Sequence, residues 1–302
     1  MASAFVAREA KTPAPILGIR ARVARVWDLR HHLPAFFGLL VLASVAVVAI
    51  AAPLIAPHDP FVQALDRRLA APLWAGGSFE HPLGTDQLGR DVLSRLIFGA
   101  RVSLVIGITA VLIAGAVGVA IGVVAGFYGG FIDEALMRLA DLRLALPFIL
   151  LVIVIITVFG PSLTNIVIVL GLTGWVSYAR VVRAEVLSVR EREFVTAARA
   201  VGANDFRLMF RHILPNTIAS AVVIASLELA NMILTESSLS FLGLGVQPPT
   251  PSWGNMLGES RNYIVSNFWL ATLPGIAIAV TAISINLVGD WLRDVLDPHL
   301  RT

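Results

Sequence analysis

Apolar runs of twenty residues or more recur along this chain, and no water-soluble core can bury so many of them in succession. A bilayer offers one regular solution. Its hydrocarbon core is ~30 Å thick, takes ~20 helical residues to cross, and requires each segment to satisfy its own backbone N–H and C=O groups. Apolar segments at 34–55, 102–127, 144–159, 163–178, 217–241 and 268–287 therefore predict an all-α integral membrane protein with six transmembrane helices. Composition agrees, with 57% hydrophobic and only 14% charged residues, outside the range of ordinary soluble domains.

Basic residues orient the spans. The tail 1–33 holds six and the stretch 180–216 seven, against none in 160–162 and one in 242–267. By the positive-inside rule both termini and the 190–216 stretch are expected in the cytoplasm. The predicted division is a tail over 1–33, a first helix over 34–56, and an extracytoplasmic insert over 57–100. A core of five helices over 101–290 and a tail over 291–302 follow. Within the insert, Leu93, Leu96 and Ile97 predict an amphipathic helix over Asp91–Phe98. Val23–His32 is expected as a basic interfacial helix. The net charge of +3 is carried by arginine, since Lys11 is the sole lysine, and suits membrane topology rather than nucleic-acid binding. Without cysteine there is no disulfide, zinc–thiolate site or thiol nucleophile. The first apolar run begins too late for a cleavable signal peptide.

The stretch REREFVTAARAVGANDFRLMFRHILPN, residues 190–216, is a five-arginine island between two apolar runs. Glu193–Val201 reads as a short helix with a small-residue surface at Ala197, Ala198 and Ala200. Gly202 can end it at positive φ. Asn204 or Asp205 can cap a second helix bearing Phe206, Met209 and Phe210, and Pro215 is expected to close the unit. Small on one surface and aromatic on another, the pair is shaped to fit a partner's groove.

The island resembles the "EAA" loop of ATP-binding-cassette (ABC) permeases, whose pattern is Glu-Ala-Ala, three residues, Gly, nine residues, then Ile-x-Leu-Pro. Here the slots hold Thr196-Ala197-Ala198, Gly202 and His212-Ile213-Leu214-Pro215. Thr196 and His212 depart from it, and Glu193, on the same helical face as Thr196, is placed to take part of the acidic role. HPLGTDQLGRDVLSRLIFGARVSL in the insert and WLRDVLDPHLRT at the end also resemble the peptide/nickel class of these importers, in the member of the pair with the longer N-terminal insert. The resemblance implies a type I importer permease fold in the inner or plasma membrane. It further implies a homologous second permease as heterodimer partner, two ATPase subunits carrying ATP and Mg, and an extracytoplasmic substrate-binding protein. The loop would dock on an ATPase subunit through Glu193, Thr196, Ala197, Ala198, Gly202, Asp205 and Phe206, and di- or oligopeptides would be carried.

No catalytic, cofactor or metal site is expected in this chain. His31, His32, His58, His81, His212 and His299 are scattered, and a P-loop needs a Gly-Lys-Ser/Thr that Lys11, between Ala10 and Thr12, cannot supply. Gly118, Gly122 and Gly126 recur every four residues and predict a close helix–helix contact. Glu228 and Glu236 lie deepest in apolar sequence, where carboxylates are expensive. Glu228, with Asn231 and Ser226, is a candidate for the translocation path, or else a carboxylate satisfied by interhelical hydrogen bonds; Glu236 favours the latter. A nickel permease of the same family is the nearest rival. An ion-coupled secondary transporter, which would use Glu228, and a helix-turn-helix DNA reader within the island are further ones.

Overall fold

The computed structural model describes residues 29–296, so most of the predicted N-terminal tail and half of the C-terminal one lie outside it. Ten helices order the described residues: α1 (Leu29–Ile50), α2 (Ala52–Ile55), α3 (Val92–Tyr128), α4 (Gly130–Ala145), α5 (Phe148–Phe159), α6 (Leu163–Val189), α7 (Glu193–Ala200), α8 (Asp205–Phe241), α9 (Trp253–Ser260) and α10 (Trp269–Leu296). Five of them, α1, α3, α6, α8 and α10, are long and apolar enough to cross a bilayer, and α4 with α5, bent by 86° at their break, pass the same test as a pair and make a sixth candidate span. The bend follows from Pro147. The residue before a proline is pushed out of helical geometry, and Leu146 sits at φ −86°, ψ 123°.

Several expected boundaries move. The amphipathic helix and the second span are one helix, α3, so no division falls between residues 100 and 101. Gly99 does not end it; Trp253 packs there instead, so close that a Cβ on Gly99 would lie 2.9 Å from the indole. Likewise α1 begins at Leu29, leaving no separate surface helix over 29–32, and breaks at Ala51, just before Pro53 starts α2. Nor does Pro215 close the island. Helix α8 passes through it by widening into a π-helical turn over Leu208–Ile213, where the Leu214 N–H reaches back to the Met209 carbonyl. That looser turn accommodates a ring that has no N–H and crowds the preceding turn.

The most extensive contact in the chain is α3 against α6. Along it a Cβ on Gly118 would meet the Trp175 carbonyl at 2.4 Å, on Gly122 the Ala179 carbonyl at 2.7 Å, and on Gly126 the Val186 side chain at 2.8 Å. Backbone therefore lies against backbone, as lipid-embedded helices need when no hydrophobic drive separates helix from lipid. Because successive contacts advance together along both helices, α3 and α6 run parallel. Their C-terminal ends meet where Arg190 Nη1 donates to the Gly126 carbonyl at 2.8 Å. Two ion pairs, Arg183–Asp133 and Arg180–Asp141, strap α4 to α6 nearby.

At the other end of α3, ~55 Å away by helical rise, the insert is closed by buried charge. Arg90 and Arg95 are only 2% exposed. Asp86 accepts from the backbone N–H groups of Leu88 and Arg90 and from both guanidiniums. Glu259 of α9 accepts from Arg90 at 2.5 Å, Arg95 at 2.7 Å and Gln87 at 3.1 Å. Insert, α3 and α9 are thereby locked together. The lock includes an element missed in the sequence: α9 lies in a Gly- and Pro-rich loop, but its Ser252–Asn255 capping box marks its start.

Two predictions follow from this packing. Gly118→Ala should destabilise the folded chain by about 1–3 kcal/mol through overpacking, whereas Gly115→Ala, whose Cβ would find ordinary contact at 3.5 Å, should be neutral or stabilising; thermal midpoints of the detergent-solubilised variants decide it. Burial alone would raise the Glu259 pKa, but the Arg95 and Arg90 guanidiniums outweigh it and hold the carboxyl below its ordinary range. A depressed pKa gives stability that is complete above the unfolded value, ~4.3 for Glu, and lost as pH falls through the folded one. The midpoint gap between wild type and Glu259→Gln should be widest near neutrality and narrow in acid; a gap indifferent to pH would refute this.

Candidate functional site

At the C-terminal ends of α3 and α6 the 190–216 island folds into a compact two-helix unit. Helix α7 ends in a paired turn: the Gly202 N–H bonds to the Arg199 carbonyl at 3.0 Å and the Ala203 N–H to the Ala198 carbonyl at 3.1 Å. This is the Schellman geometry, which places the residue after the cap in left-handed backbone, and Gly202 sits at φ +89°. Asn204, rather than Asp205, caps the next helix by accepting from the Arg207 N–H at 2.9 Å. Val195, Leu208 and Ile213 are fully buried against Val186 and Val189 of α6. The unit is thus welded to α6 on one side and continuous with α8 on the other.

Its outward surface carries Glu193, Thr196, Ala197, Gly202, Asp205 and Phe206. Val201, 89% exposed, and Phe206, 66% exposed, are apolar groups left open beside Phe210, whose ring stacks on Phe206 at 4.4 Å between centroids. Ala198 is only partly exposed and packs on the Val195–Leu208 cluster, since it lies three residues from buried Val195 on the same face of α7.

Further along α8, Glu228, Asn231 and Thr235 line a cavity of about 200 Å³ with Thr173 and Ser177 of α6 and Arg143 at the α4–α5 bend. Arg143 Nε is buried without a hydrogen-bond partner, and its charge interacts with that of Glu228. A partly buried carboxylate, a guanidinium and three hydroxyls make this a polar chamber within the bundle. Ser226 is not part of it. It packs against α10, where its Oγ would lie 2.7 Å from a Cβ on Gly289; two residues from Glu228 on a helix is nearly the opposite face. Glu236 is likewise elsewhere and completely buried, accepting from Ser240 at 2.7 Å, Ser103 at 3.3 Å and Ser237 at 3.4 Å. Asn231 and Thr235 on the same helix turn to the cavity instead.

Two features escaped the sequence reading. An apolar groove of about 550 Å³ opens between α3 and α8, floored by Tyr178 and flanked by Leu112, Phe210, Ile218 and Val222. On the insert, His58, Glu80 and His81 bring ligand-capable atoms within 4.8 Å of one another. Chain distance hid that group, since 22 residues separate His58 from Glu80.

Comparison with known proteins places these features in a wider set. Residues 118–302 match the family model described as "Binding-protein-dependent transport system inner membrane component", and residues 23–72 that of the "N-terminal TM domain of oligopeptide transport permease C". A di/tripeptide transport system permease protein, DppC, from Pseudomonas aeruginosa is 46% identical over 90% of this chain and 90% of its own length. A dipeptide transport system permease protein DppC from Escherichia coli is 46% identical over 90% and 91%. The glutathione transport system permease protein GsiD of Pectobacterium atrosepticum is 40% identical over 91% and 89%. Among solved structures, the MetNI methionine ABC transporter aligns with a TM-score of 0.56 at 18% identity, over 67% of this chain and 96% of that one.

Proposed function

Since this chain belongs to the binding-protein-dependent inner-membrane permeases of ABC importers, we propose that it carries di- or oligopeptides through a pathway including the Glu228 cavity, driven by ATPase subunits docked on the 190–216 unit. The observation that carries this reading is the continuity of α8. One helix bears the exposed Phe206 at its start and Glu228 ~33 Å further on by helical rise, so displacement of the docked end tilts the wall of the cavity. Two such arrangements of a packed bundle, rather than general flexibility, are what alternating access requires.

Docking draws on Phe206, Val201 and the small surface at Ala197 and Thr196, with Glu193 and Asp205 as its charges. ATP and Mg are bound by the two partner ATPases, and this chain binds no cofactor. The groove between α3 and α8 is the face offered to a homologous second permease, and the insert lies towards the substrate-binding protein. Both termini are cytoplasmic, as the arginine count of the loops requires. Within the cavity Glu228 pairs with a peptide's amino terminus and Arg143 with its carboxylate, a reading that the peptide-transport names of the relatives support over nickel.

Phe206→Asp and Ala197→Asp change exposed groups only, and each should abolish dipeptide uptake by vesicles of the assembled transporter while leaving the chain in the membrane at normal amounts. Unimpaired uptake in both would refute docking here. Glu228→Gln should cut uptake of labelled dipeptide by about tenfold, ~1.4 kcal/mol, without loss of assembly; wild-type rates would remove Glu228 from the pathway. Depleting ATP should stop uptake and an ionophore should not, which separates this reading from ion-coupled transport.

A further inference from the structure

We propose that His58, Glu80 and His81 bind a zinc ion on the insert, at the end of α3 remote from the docking unit. Two imidazoles and a carboxylate within 4.8 Å of one another are the donor set of a three-ligand zinc site with an open fourth position, and that mixture selects a late first-row cation over Mg²⁺ or Ca²⁺.

Both histidines are held by one turn, the N-cap of α3. Asp91, buried, accepts from the Ser94 N–H at 2.8 Å and from the Ser94 hydroxyl at 2.7 Å through Oδ2. Its other oxygen, Oδ1, lies 3.0 Å from His81 Nδ1. A carboxylate on one ring nitrogen fixes the tautomer and leaves Nε2 as the donor for a metal, the usual outer-shell arrangement of zinc histidines. The backbone N–H of His58 donates to the same Ser94 hydroxyl at 3.0 Å. His58 is thereby set beside His81, with ring centroids 4.7 Å apart, and its Nδ1 is buried without a hydrogen-bond partner.

Glu80 completes the set from the exposed side. Its present partner is Arg67, and the guanidinium holds the carboxyl below its usual range and so ionised. That pair is open to solvent on both sides, the kind of surface ion pair that contributes little and can be exchanged. Donors around a tetrahedral zinc at 2.0–2.1 Å lie roughly 3.3 Å apart. A contraction of at most about an ångström and a half therefore closes the site, and the exposed Glu80 side chain can contribute to it. The ion would clip the segment leaving α2 to the turn at 80–81, and through Asp91 to the start of α3.

The test uses the full chain in detergent, carrying a tag without histidine, stripped with chelator and titrated with zinc chloride by calorimetry and metal analysis. One zinc per chain is expected. His58→Gln, His81→Gln and Glu80→Gln should each weaken binding about tenfold or more, while Arg67→Gln, which frees Glu80, should tighten it. Zinc should raise the thermal midpoint of the wild type and not of the histidine variants. Absence of stoichiometric zinc in the wild type would overturn the proposal. So would undiminished binding in a His58→Gln/His81→Gln chain, which would locate the metal on other histidines. Glu80 is exposed, so Glu80→Gln keeps the test open even if a histidine variant fails to fold.

Discussion

The seam between α3 and α6 is the contact on which the rest of the bundle depends. In lipid, apolar side chains gain little by leaving the solvent, so helices are held by close van der Waals approach and by polar groups that find partners. Gly118, Gly122 and Gly126 bring α3 within backbone reach of Trp175, Ala179 and Val186. With those two helices parallel and in register, their C-terminal ends present one platform. Arg190 bridges it to Gly126, and the Arg183–Asp133 and Arg180–Asp141 pairs hold the bent third span beside it. The 190–216 unit then rests on both helices.

Rigidity at that end and polarity at mid-bundle are linked by α8. The π-helical turn at Leu208–Ile213 lets one helix continue past Pro215, so the exposed aromatic pair and the residues lining the Glu228 cavity lie on the same helix. Bending of the third span at Leu146–Pro147 has a related consequence. It sets Arg143 at the cavity rather than along a straight helix face, where its cost in lipid would be hard to offset.

Charge is handled differently at the opposite end. Asp86, Arg90, Arg95 and Glu259 are gathered into one largely buried network, each guanidinium shared by two carboxylates. Such a network favours one arrangement strongly because removing any member leaves an unpaired charge. His58, Glu80 and His81 lie just outside it, one turn away and partly open. The insert therefore combines a locked interior with an accessible set of metal-type donors.

Much of this was legible in the chain. Long apolar runs forced helices, the four-residue glycine row pointed to a close contact, and Gly202 marked the turn at positive φ. These are local properties, set by backbone chemistry and by what a bilayer tolerates within a single segment. Helix ends were less legible: Pro215 is a usual stop signal, yet a π-helical turn carried the helix through it. Which side chains meet was beyond the chain's reach. Ala198 turned inward, Ser226 faced α10 instead of the cavity, Arg143 joined Glu228, and His58 came to lie beside His81. Sequence alone determined that the chain crosses the membrane in helices and where it turns; only the tertiary structure decided which residues share a cavity or a surface, because helix rotation and bend are set by packing against neighbours distant in the chain.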